Sequence, residues 1–230
     1  MFDIKRHRHI LFELITNIYR SDLGAFLGFK GGTMAYFFSG LDRFSVDLDF
    51  DLLKSDKKEK IFAELPLILS KYGKVTEKTD KKSTLFFLLN YQKGTKNIKI
   101  EVSKRKNNEE HYIITNFYGT DVIILKEEYA FANKLLACTQ RNKIAHRDFY
   151  DVYFYLKKGV FPNKDIIESE SNKKYEEYLL YLVLFIEKNL TNENTLHGLG
   201  ELVNEKQKFW IKNNLKNELI NRLNFLMKHG

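Results

Sequence analysis

Two aspartates, Asp47 and Asp49, stand one residue apart in a segment whose side chains could hold a divalent metal ion. From Phe44 to Leu52 apolar and polar residues alternate strictly. A period of two predicts a β-strand with one face in the core and one polar face. Asp47, Asp49 and Asp51 would then project from the same face, although like charges in a row repel. Paired carboxylates of this kind position the metal ions that phosphoryl-transfer reactions need.

A third carboxylate could come from a neighbouring strand. Residues 97–103 alternate again, and Glu101 occupies an outward position in that pattern. Glu101 is therefore the candidate third metal ligand, with a surface ion pair to Lys99 or Lys104 as the alternative. Asp51, by contrast, is expected to be solvated or to contribute little.

A glycine pair precedes the aspartates and could approach a phosphate group. Gly31 and Gly32 separate a predicted strand at 26–29 from a predicted short helix at 33–39. Glycine lets the backbone come close to an anion, helix N-terminal N–H groups favour it, and Thr33 adds a hydroxyl donor. Glycine pairs are common in turns, so the combination with the Asp-x-Asp strand is what makes the pattern specific.

The rest of the chain predicts an α/β half followed by a helical half. Residues 4–20 have the apolar spacing of an amphipathic helix. Further strands are predicted at 72–76, 84–91 and 112–115, and further helices at 57–70, 148–157, 173–190 and 201–228. The strand near 112–115 is expected to close the first half, and the pattern after residue 122 is helical. The predicted domains are 1–122, an α/β domain with a mixed sheet, and 123–230, all helical.

Composition limits the class of protein. The chain has 230 residues, 43% of them hydrophobic, and a single cysteine, Cys138, which excludes an internal disulfide and is expected in the core. Neither a signal peptide nor a run of about 20 apolar residues is seen, so we expect a soluble, cytoplasmic protein. The net charge of +8 favours a polyanionic partner such as nucleic acid, or else reflects a lysine-rich solvated surface.

Four segments together resemble a known family. They are KGGT at 30–33, RFSVDLDF at 43–50, EYAFANK at 128–134 and HRDFYDV at 146–152. These motifs are similar to those of the AbiEii-type nucleotidyltransferases, toxins of type IV toxin–antitoxin pairs within the polymerase-beta-like superfamily; the MenT toxins are close relatives. The resemblance covers residues 26–157 and implies a nucleotidyltransferase-type mixed sheet followed by a helical domain.

The resemblance also implies roles for individual residues. Gly31, Gly32 and Thr33 would hold the triphosphate, Arg43 and Ser45 would line the nucleotide pocket, Asp47 and Asp49 would bind Mg²⁺ or Mn²⁺, Lys134 would contact phosphates, and Asp148 would lie at the catalytic centre. Lys134 could instead be a surface lysine, and Asp148 could pair with Arg141 or Arg147. Asp151 is expected to be a structural ion-pair partner without a catalytic role.

The function implied is transfer of a nucleoside monophosphate from an NTP to RNA, most plausibly the 3′ end of tRNA. A cognate antitoxin is the implied protein partner, and no membrane partner is expected. Three alternatives stay open from the residues: a protein or small-molecule acceptor, a non-catalytic nucleotide- or RNA-binding module, and a housekeeping enzyme in place of a toxin.

Overall fold

Residues 3–94, 96–105 and 108–229 are described by the computed structural model, and the chain divides into two units. The first unit contains Met1–Gly40 and Phe44–Lys126, and the second contains Leu41–Arg43 and Glu127–Gly230. The first unit thus extends to the end of the sheet at Lys126. The domain boundary at residue 122 stays a prediction.

The first helix, α1, spans Ile4–Arg20, as the apolar spacing predicts. The side chain of Asp3 accepts a hydrogen bond from the backbone N–H of Arg6 at 3.0 Å, which caps the helix N-terminus. One face of the helix is fully buried, with Leu11, Leu14, Ile15 and Ile18 each 0% exposed. Burial of this stripe attaches the helix to the core of the first unit.

A seven-stranded mixed sheet forms the centre of the first unit. Its strands are β1 (Leu27–Lys30), β2 (Leu48–Leu52), β3 (Lys74–Lys81), β4 (Thr84–Asn90), β5 (Ile98–Ser103), β6 (Tyr112–Phe117) and β7 (Thr120–Leu125), in the order β3-β4-β5-β2-β1-β7-β6. Strand β1 is parallel to β7 and β2 is parallel to β5, whereas the other neighbours are antiparallel. The predicted mixed α/β sheet is confirmed. Two further helices, α2 (Gly31–Met34) and α3 (Lys58–Leu69), belong to this unit.

The strand that carries the aspartates is shorter than predicted, because β2 begins only at Leu48. The carbonyl oxygen of Val46 lies 2.9 Å from Nε2 of His7, and that of Asp47 accepts a hydrogen bond from the hydroxyl of Thr33. Side chains thus form hydrogen bonds to two carbonyl groups that would otherwise pair with a neighbouring strand. The prediction of a strand starting at residue 44 is therefore wrong at its N-terminal end.

Strand β7 was not predicted, since the chain was expected to become helical after residue 122. It forms a hairpin with β6, in which Phe117 pairs with Thr120 across a two-residue turn. Both turn residues have positive φ, 49° at Tyr118 and 83° at Gly119. A two-residue loop of this kind matches the twist of the flanking strands. The Tyr-Gly dipeptide between two alternating segments was the available signal for this hairpin.

The described residues of the second unit after Lys126 form helices joined by loops, without a strand, as predicted. Its helices are α4 (Glu127–Gln140), α5 (His146–Lys158), α6 (Lys164–Ser171), α7 (Tyr175–Asn189) and α8 (Glu205–His229). Helix α6 was not predicted; its N-terminus is capped by Asn163, whose Oδ1 accepts the N–H of Ile166 at 3.0 Å. Cys138 is buried in α4, which confirms its place in the core. None of the helices in the described part of the chain has the length and apolar character needed to cross a bilayer.

Candidate active site

Asp49 lies in the middle of the sheet between two polar neighbours. It pairs with Lys30 on β1 and with Glu101 on β5. Side chains of directly paired residues project from the same face of a sheet, whereas Leu48 and Phe50 point to the other face and are completely buried. The register of β2 and β5 therefore places Glu101 beside Asp49, and both side chains are partly exposed.

The carboxylate of Asp49 lies directly against Gly31. A Cβ atom built on Gly31 would come within 2.3 Å of Oδ2 of Asp49, and the backbone of Gly31 has φ of +80°. Both the space and the conformation therefore require glycine at this position. The glycine turn and the central aspartate, whose combination made the sequence pattern specific, are in contact.

Asp47 precedes β2 and is held by two backbone interactions. Its Oδ1 accepts the backbone N–H of Lys99 at 3.3 Å, and its carbonyl oxygen accepts the hydroxyl of the buried Thr33. Thr33 thus positions the aspartate segment, while its contact with a triphosphate stays a prediction. Gly32 and Ser45 are buried nearby in the chain, with Ser45 8% exposed.

The carboxylates of Asp47 and Asp49 have the chemistry that suits a magnesium ion, and its binding here stays a prediction. Mg²⁺ in nucleotide sites uses one or two carboxylates and completes its shell with substrate phosphates and water. Asp47 and Asp49 are two such carboxylates, and that of Asp49 fills the space that a side chain at position 31 would take. Across residues 3–94, 96–105 and 108–229, no group of three or more His, Cys, Asp or Glu side chains is assembled to hold a metal ion. Ligation by Glu101 stays a prediction.

Asp51 was expected to be solvated or to contribute little, and the first of these alternatives is wrong, because its side chain is only 11% exposed. Oδ1 of Asp51 lies 2.6 Å from the ammonium of Lys30, and Oδ2 accepts the hydroxyl of Tyr112 at 2.5 Å. Alternation placed Asp51 on the polar face correctly. The strand pattern alone could not show that residues from β1 and β6 cover it.

His7 is a buried residue of this region that the sequence did not single out. Its Nε2 faces the carbonyl of Val46 and its Nδ1 lies 2.9 Å from the hydroxyl of Tyr91. Since a carbonyl only accepts, Nε2 carries the hydrogen and Nδ1 accepts from the tyrosine. Burial lowers the pKa of His7, which the Val46 hydrogen bond and the charge of Asp47 only partly offset. A neutral histidine thus anchors the residue before Asp47.

In the second unit, Lys134 is held between two aspartates of α5. Its ammonium lies 3.0 Å from Oδ1 of Asp148 and 2.7 Å from Oδ2 of Asp151, and its side chain is 14% exposed. Burial lowers the pKa of Lys134, but the charges of Asp148 and Asp151 outweigh this and raise it above its ordinary value. Lys134 is consequently a charged, nearly buried group and not a surface lysine.

Arg43 makes a buried pair with Asp151. Its Nε and Nη2 lie 2.5 Å and 2.6 Å from the two carboxylate oxygens, and both side chains are 1% exposed. Burial raises the pKa of Asp151, yet Arg43 and Lys134 more than offset this and hold it below its ordinary value. The expected structural role of Asp151 agrees with this geometry. The predicted nucleotide contact of Arg43 stays a prediction, and its guanidinium is engaged with Asp151.

Asp148 is completely buried and pairs with a second cation. Nε of Arg141 lies 2.6 Å from its Oδ2, and the Arg141 side chain is 44% exposed. The alternative of an ion pair with Arg141 is therefore present in the structure. Among the described residues, this network brings three cations, Arg43, Lys134 and Arg141, to the two carboxylates Asp148 and Asp151. A catalytic role for Asp148 stays a prediction.

A cavity of about 390 Å³ lies elsewhere in the second unit, beside α5 and α8. Its lining is mainly apolar and includes Phe161 and Phe225, with Arg222 as a polar residue. None of the predicted site residues borders it. The candidate site is thus defined by its polar groups and not by this cavity.

The motifs and their geometry can be compared with known proteins. A family model described as the nucleotidyl transferase AbiEii toxin of type IV toxin–antitoxin systems matches residues 13–219. The chain belongs to this family. The match confirms the resemblance drawn from the four motifs and the prediction of a nucleotidyltransferase. Membership of a toxin–antitoxin family also implies a nucleotide substrate and an antitoxin partner.

Two solved structures from Helicobacter pylori share the fold of this AbiEii-family chain. One is JHP933, with 21% sequence identity and a TM-score of 0.63, covering 99% of this chain and 94% of the other. The second is described as a nucleotidyltransferase, with 21% identity and a TM-score of 0.63, covering 98% and 95%. At this identity the similarity shows the fold alone. No curated protein matches the chain.

Gly31→Ala is expected to reduce nucleotide transfer strongly, because the new methyl group would push against the Asp49 carboxylate. Gly40→Ala is the matched control, since Gly40 also has positive φ, +83°, but no heavy atom of the described residues lies within 4 Å of its Cβ position. The left-handed backbone should cost each variant about 1–2 kcal/mol of stability, and the contact with Asp49 adds to this cost in Gly31→Ala. Thermal unfolding and a transfer assay on both variants test this; equal activity of the two would contradict it.

Proposed function

We propose that this AbiEii-family chain transfers a nucleoside monophosphate from an NTP to the 3′ end of an RNA, with tRNA as the acceptor. Asp47 and Asp49 hold Mg²⁺ or Mn²⁺ in this reaction. The chain acts in the cytoplasm as the toxin of a toxin–antitoxin pair. Its cognate antitoxin restrains it.

The observation that carries the proposal is the contact between Asp49 and Gly31. Asp49 is the proposed metal ligand, and its carboxylate lies against the backbone of Gly31, where the missing side chain allows a close approach. Glu101 is in register with Asp49 on the neighbouring strand and adds negative charge on the same face. Carboxylate oxygens can hold the metal ion of a metal–triphosphate complex, and a turn of backbone N–H groups beside them can bind the phosphates.

The divalent ion and the side chains of the site have separate roles in the reaction. A divalent ion, when bound, supplies charge neutralisation at the triphosphate and lowers the pKa of a coordinated hydroxyl. Asp47 and Asp49 would hold this ion. The ammonium of Lys134, which Asp148 and Asp151 keep charged, neutralises phosphate charge. The acceptor hydroxyl oxygen forms a bond to the α-phosphorus, its proton passes to solvent, and the bond to the bridging oxygen breaks to release pyrophosphate.

Charge supports RNA as the acceptor. The chain carries a formal net charge of +8, and polyanions are the partners that such a charge attracts. In the second unit, Arg141, which belongs to the Lys134 network, and Lys143 are exposed between α4 and α5. A small-molecule acceptor would have no need for these exposed cations.

The test is incubation of the purified protein with total tRNA, Mg²⁺ and each NTP labelled at the α-phosphate, followed by a denaturing gel. Label should appear on tRNA with at least one NTP and be absent with Asp47→Ala. Removal of Mg²⁺ by a chelator should abolish labelling, and its return should restore it.

Other results of the labelling assay would support other functions. Label on a protein, or on a small molecule in a lysate, would replace RNA as the acceptor while keeping the metal site. No transfer to any acceptor would contradict the proposal and favour a nucleotide- or RNA-binding module. Expression of the chain should inhibit growth, and co-expression of the neighbouring gene should relieve this inhibition. Inhibition that persists would count against the toxin–antitoxin pairing.

A further inference from the structure

Lys30 stands at the end of β1, in the position immediately before the glycine turn. It is paired across the sheet with Asp49, so both side chains project from the polar face. The sequence motif contained this lysine, but neither strand periodicity nor the glycine pattern gave it a role. The contacts of Lys30 within the first unit indicate a role for it.

The ammonium of Lys30 is fixed from one side by a buried carboxylate. It lies 2.6 Å from Oδ1 of Asp51, while the hydroxyl of Tyr112 occupies the other oxygen, Oδ2, at 2.5 Å. Both oxygens of Asp51 therefore have a donor. Asp51 is thereby engaged as a support and is not presented as a metal ligand.

The tyrosine is itself held in place by a glycine. A Cβ atom on Gly28 would lie 2.2 Å from Cε1 of Tyr112, so only glycine leaves space for this ring. Gly28 is paired with Asp51 on β2, which places the ring and the carboxylate on the same face. Residues of three strands, β1, β2 and β6, thus combine to position one ammonium group.

The supported ammonium retains unused hydrogen-bonding capacity. Lysine has three N–H donors, and in the part of the chain that the structure describes only Asp51 accepts one from Lys30. The Lys30 side chain is 27% exposed, compared with 11% for Asp51. The remaining donors are therefore open to a ligand that approaches the polar face.

We propose that Lys30 binds a phosphate group of the NTP, with Asp51 and Tyr112 as the residues that position it. The inference rests on the proposed function and adds a phosphate ligand to it. Asp49 and Glu101 give this face an excess of negative charge, and an anionic substrate needs a cation there besides its metal ion. Lysine binds phosphate as a point charge without a fixed geometry, which suits an ammonium with one fixed and two open donors.

Binding of inorganic triphosphate in the presence of Mg²⁺, measured by calorimetry on the full chain, tests the proposal without requiring transfer. Lys30→Met is expected to weaken binding at least about tenfold, as for loss of a hydrogen bond to a charged group. Lys104→Met is the matched control, because Lys104 is 17% exposed and pairs with Asp80 in the same unit. It should bind triphosphate within about twofold of the wild type.

A second measurement uses the wild-type protein, in case Lys30→Met does not fold. Lysines are acetylated with acetic anhydride with and without Mg²⁺–triphosphate, and the modified peptides are quantified by mass spectrometry. Triphosphate should suppress modification of Lys30 and leave that of Lys104 unchanged. Unchanged modification of Lys30, or wild-type triphosphate affinity in Lys30→Met, would overturn the proposal.

The two proposals fail in different ways. If the wild type transfers no nucleotide but its triphosphate binding depends on Lys30, the proposed function fails and the phosphate site stands. If transfer occurs with wild-type KM for the NTP in Lys30→Met, the phosphate site fails and the proposed function stands. A structural role alone would lower the Tm of Lys30→Met without changing triphosphate affinity.

Discussion

Asp49→Asn is expected to lower metal-dependent nucleotide transfer by roughly 10³-fold or more while leaving the chain folded. A metal ligand that stabilises transition-state charge contributes several kcal/mol, and each 1.36 kcal/mol is about a tenfold change in rate. The amide keeps the size of the carboxylate, so its contact with Gly31 is preserved. Initial rates of transfer at saturating NTP and Mg²⁺, with circular dichroism as the folding check, provide the measurement.

Asp121→Asn is the control for this experiment. Asp121 lies on β7 of the same sheet, and its exposed side chain is 3.4 Å from the amide of Asn116. Its replacement removes the same charge from a strand surface and should leave the transfer rate within about twofold. If Asp49→Asn retained wild-type activity, or if both variants lost it equally, the role of Asp49 as a metal ligand would be refuted.

Asp151→Asn is expected to destabilise the second unit by about 3–5 kcal/mol, the usual cost of removing one partner of a buried ion pair. The change leaves Arg43, which is 1% exposed, without its carboxylate and takes one of two anions from Lys134. Trp210 is the single tryptophan of the chain and lies on α8, with its ring 4.7 Å from that of Tyr153 on α5. Urea unfolding followed by tryptophan fluorescence therefore reports on this unit.

The control for this variant is Glu127→Gln. Glu127 on α4 pairs with Lys158 on α5, so it links the same two helices as Asp151, but at 34% and 37% exposure. A pair this exposed is screened by solvent, and its loss should cost no more than about 1 kcal/mol. Equal effects of the two substitutions would show that the Arg43–Asp151–Lys134 contacts do not stabilise the unit.

The stabilisation that Asp151 provides is expected to decrease as the pH falls. The pKa of Asp151 is lowered in the folded chain, so the native state favours the ionised carboxylate. Its contribution is present above the unfolded value of about 3.9 and is lost as the pH falls through the lowered folded value. The stability difference between wild type and Asp151→Asn should therefore be largest near neutral pH and shrink below about pH 4.

Local sequence patterns were sufficient to predict a helix, two strand faces and a glycine turn, because hydrophobic periodicity and turn-forming residues determine them. The apolar spacing of residues 4–20 predicted α1, and the alternation around Asp49 and Glu101 predicted that both face the polar side of the sheet. The Gly31–Gly32 turn was recognisable because positive φ and close approach require glycine. The family motifs then identified a nucleotidyltransferase. These features depend on neighbours within a few residues of each other.

The tertiary structure decided what depends on partners distant in sequence. Asp51 looked solvated because its strand pattern could not reveal Tyr112, 61 residues away, and Asp151 finds its partner Arg43 across 108 residues. The hairpin at Tyr118–Gly119 replaced an expected helical start, since pairing of β7 with β1 stabilises a strand that local periodicity does not distinguish. The sequence by itself thus determined the chemistry-bearing motifs and the main elements. Only the tertiary structure decided which charges are buried and neutralised, because the cost of burying a charge is met by partners that strand and helix periods do not encode.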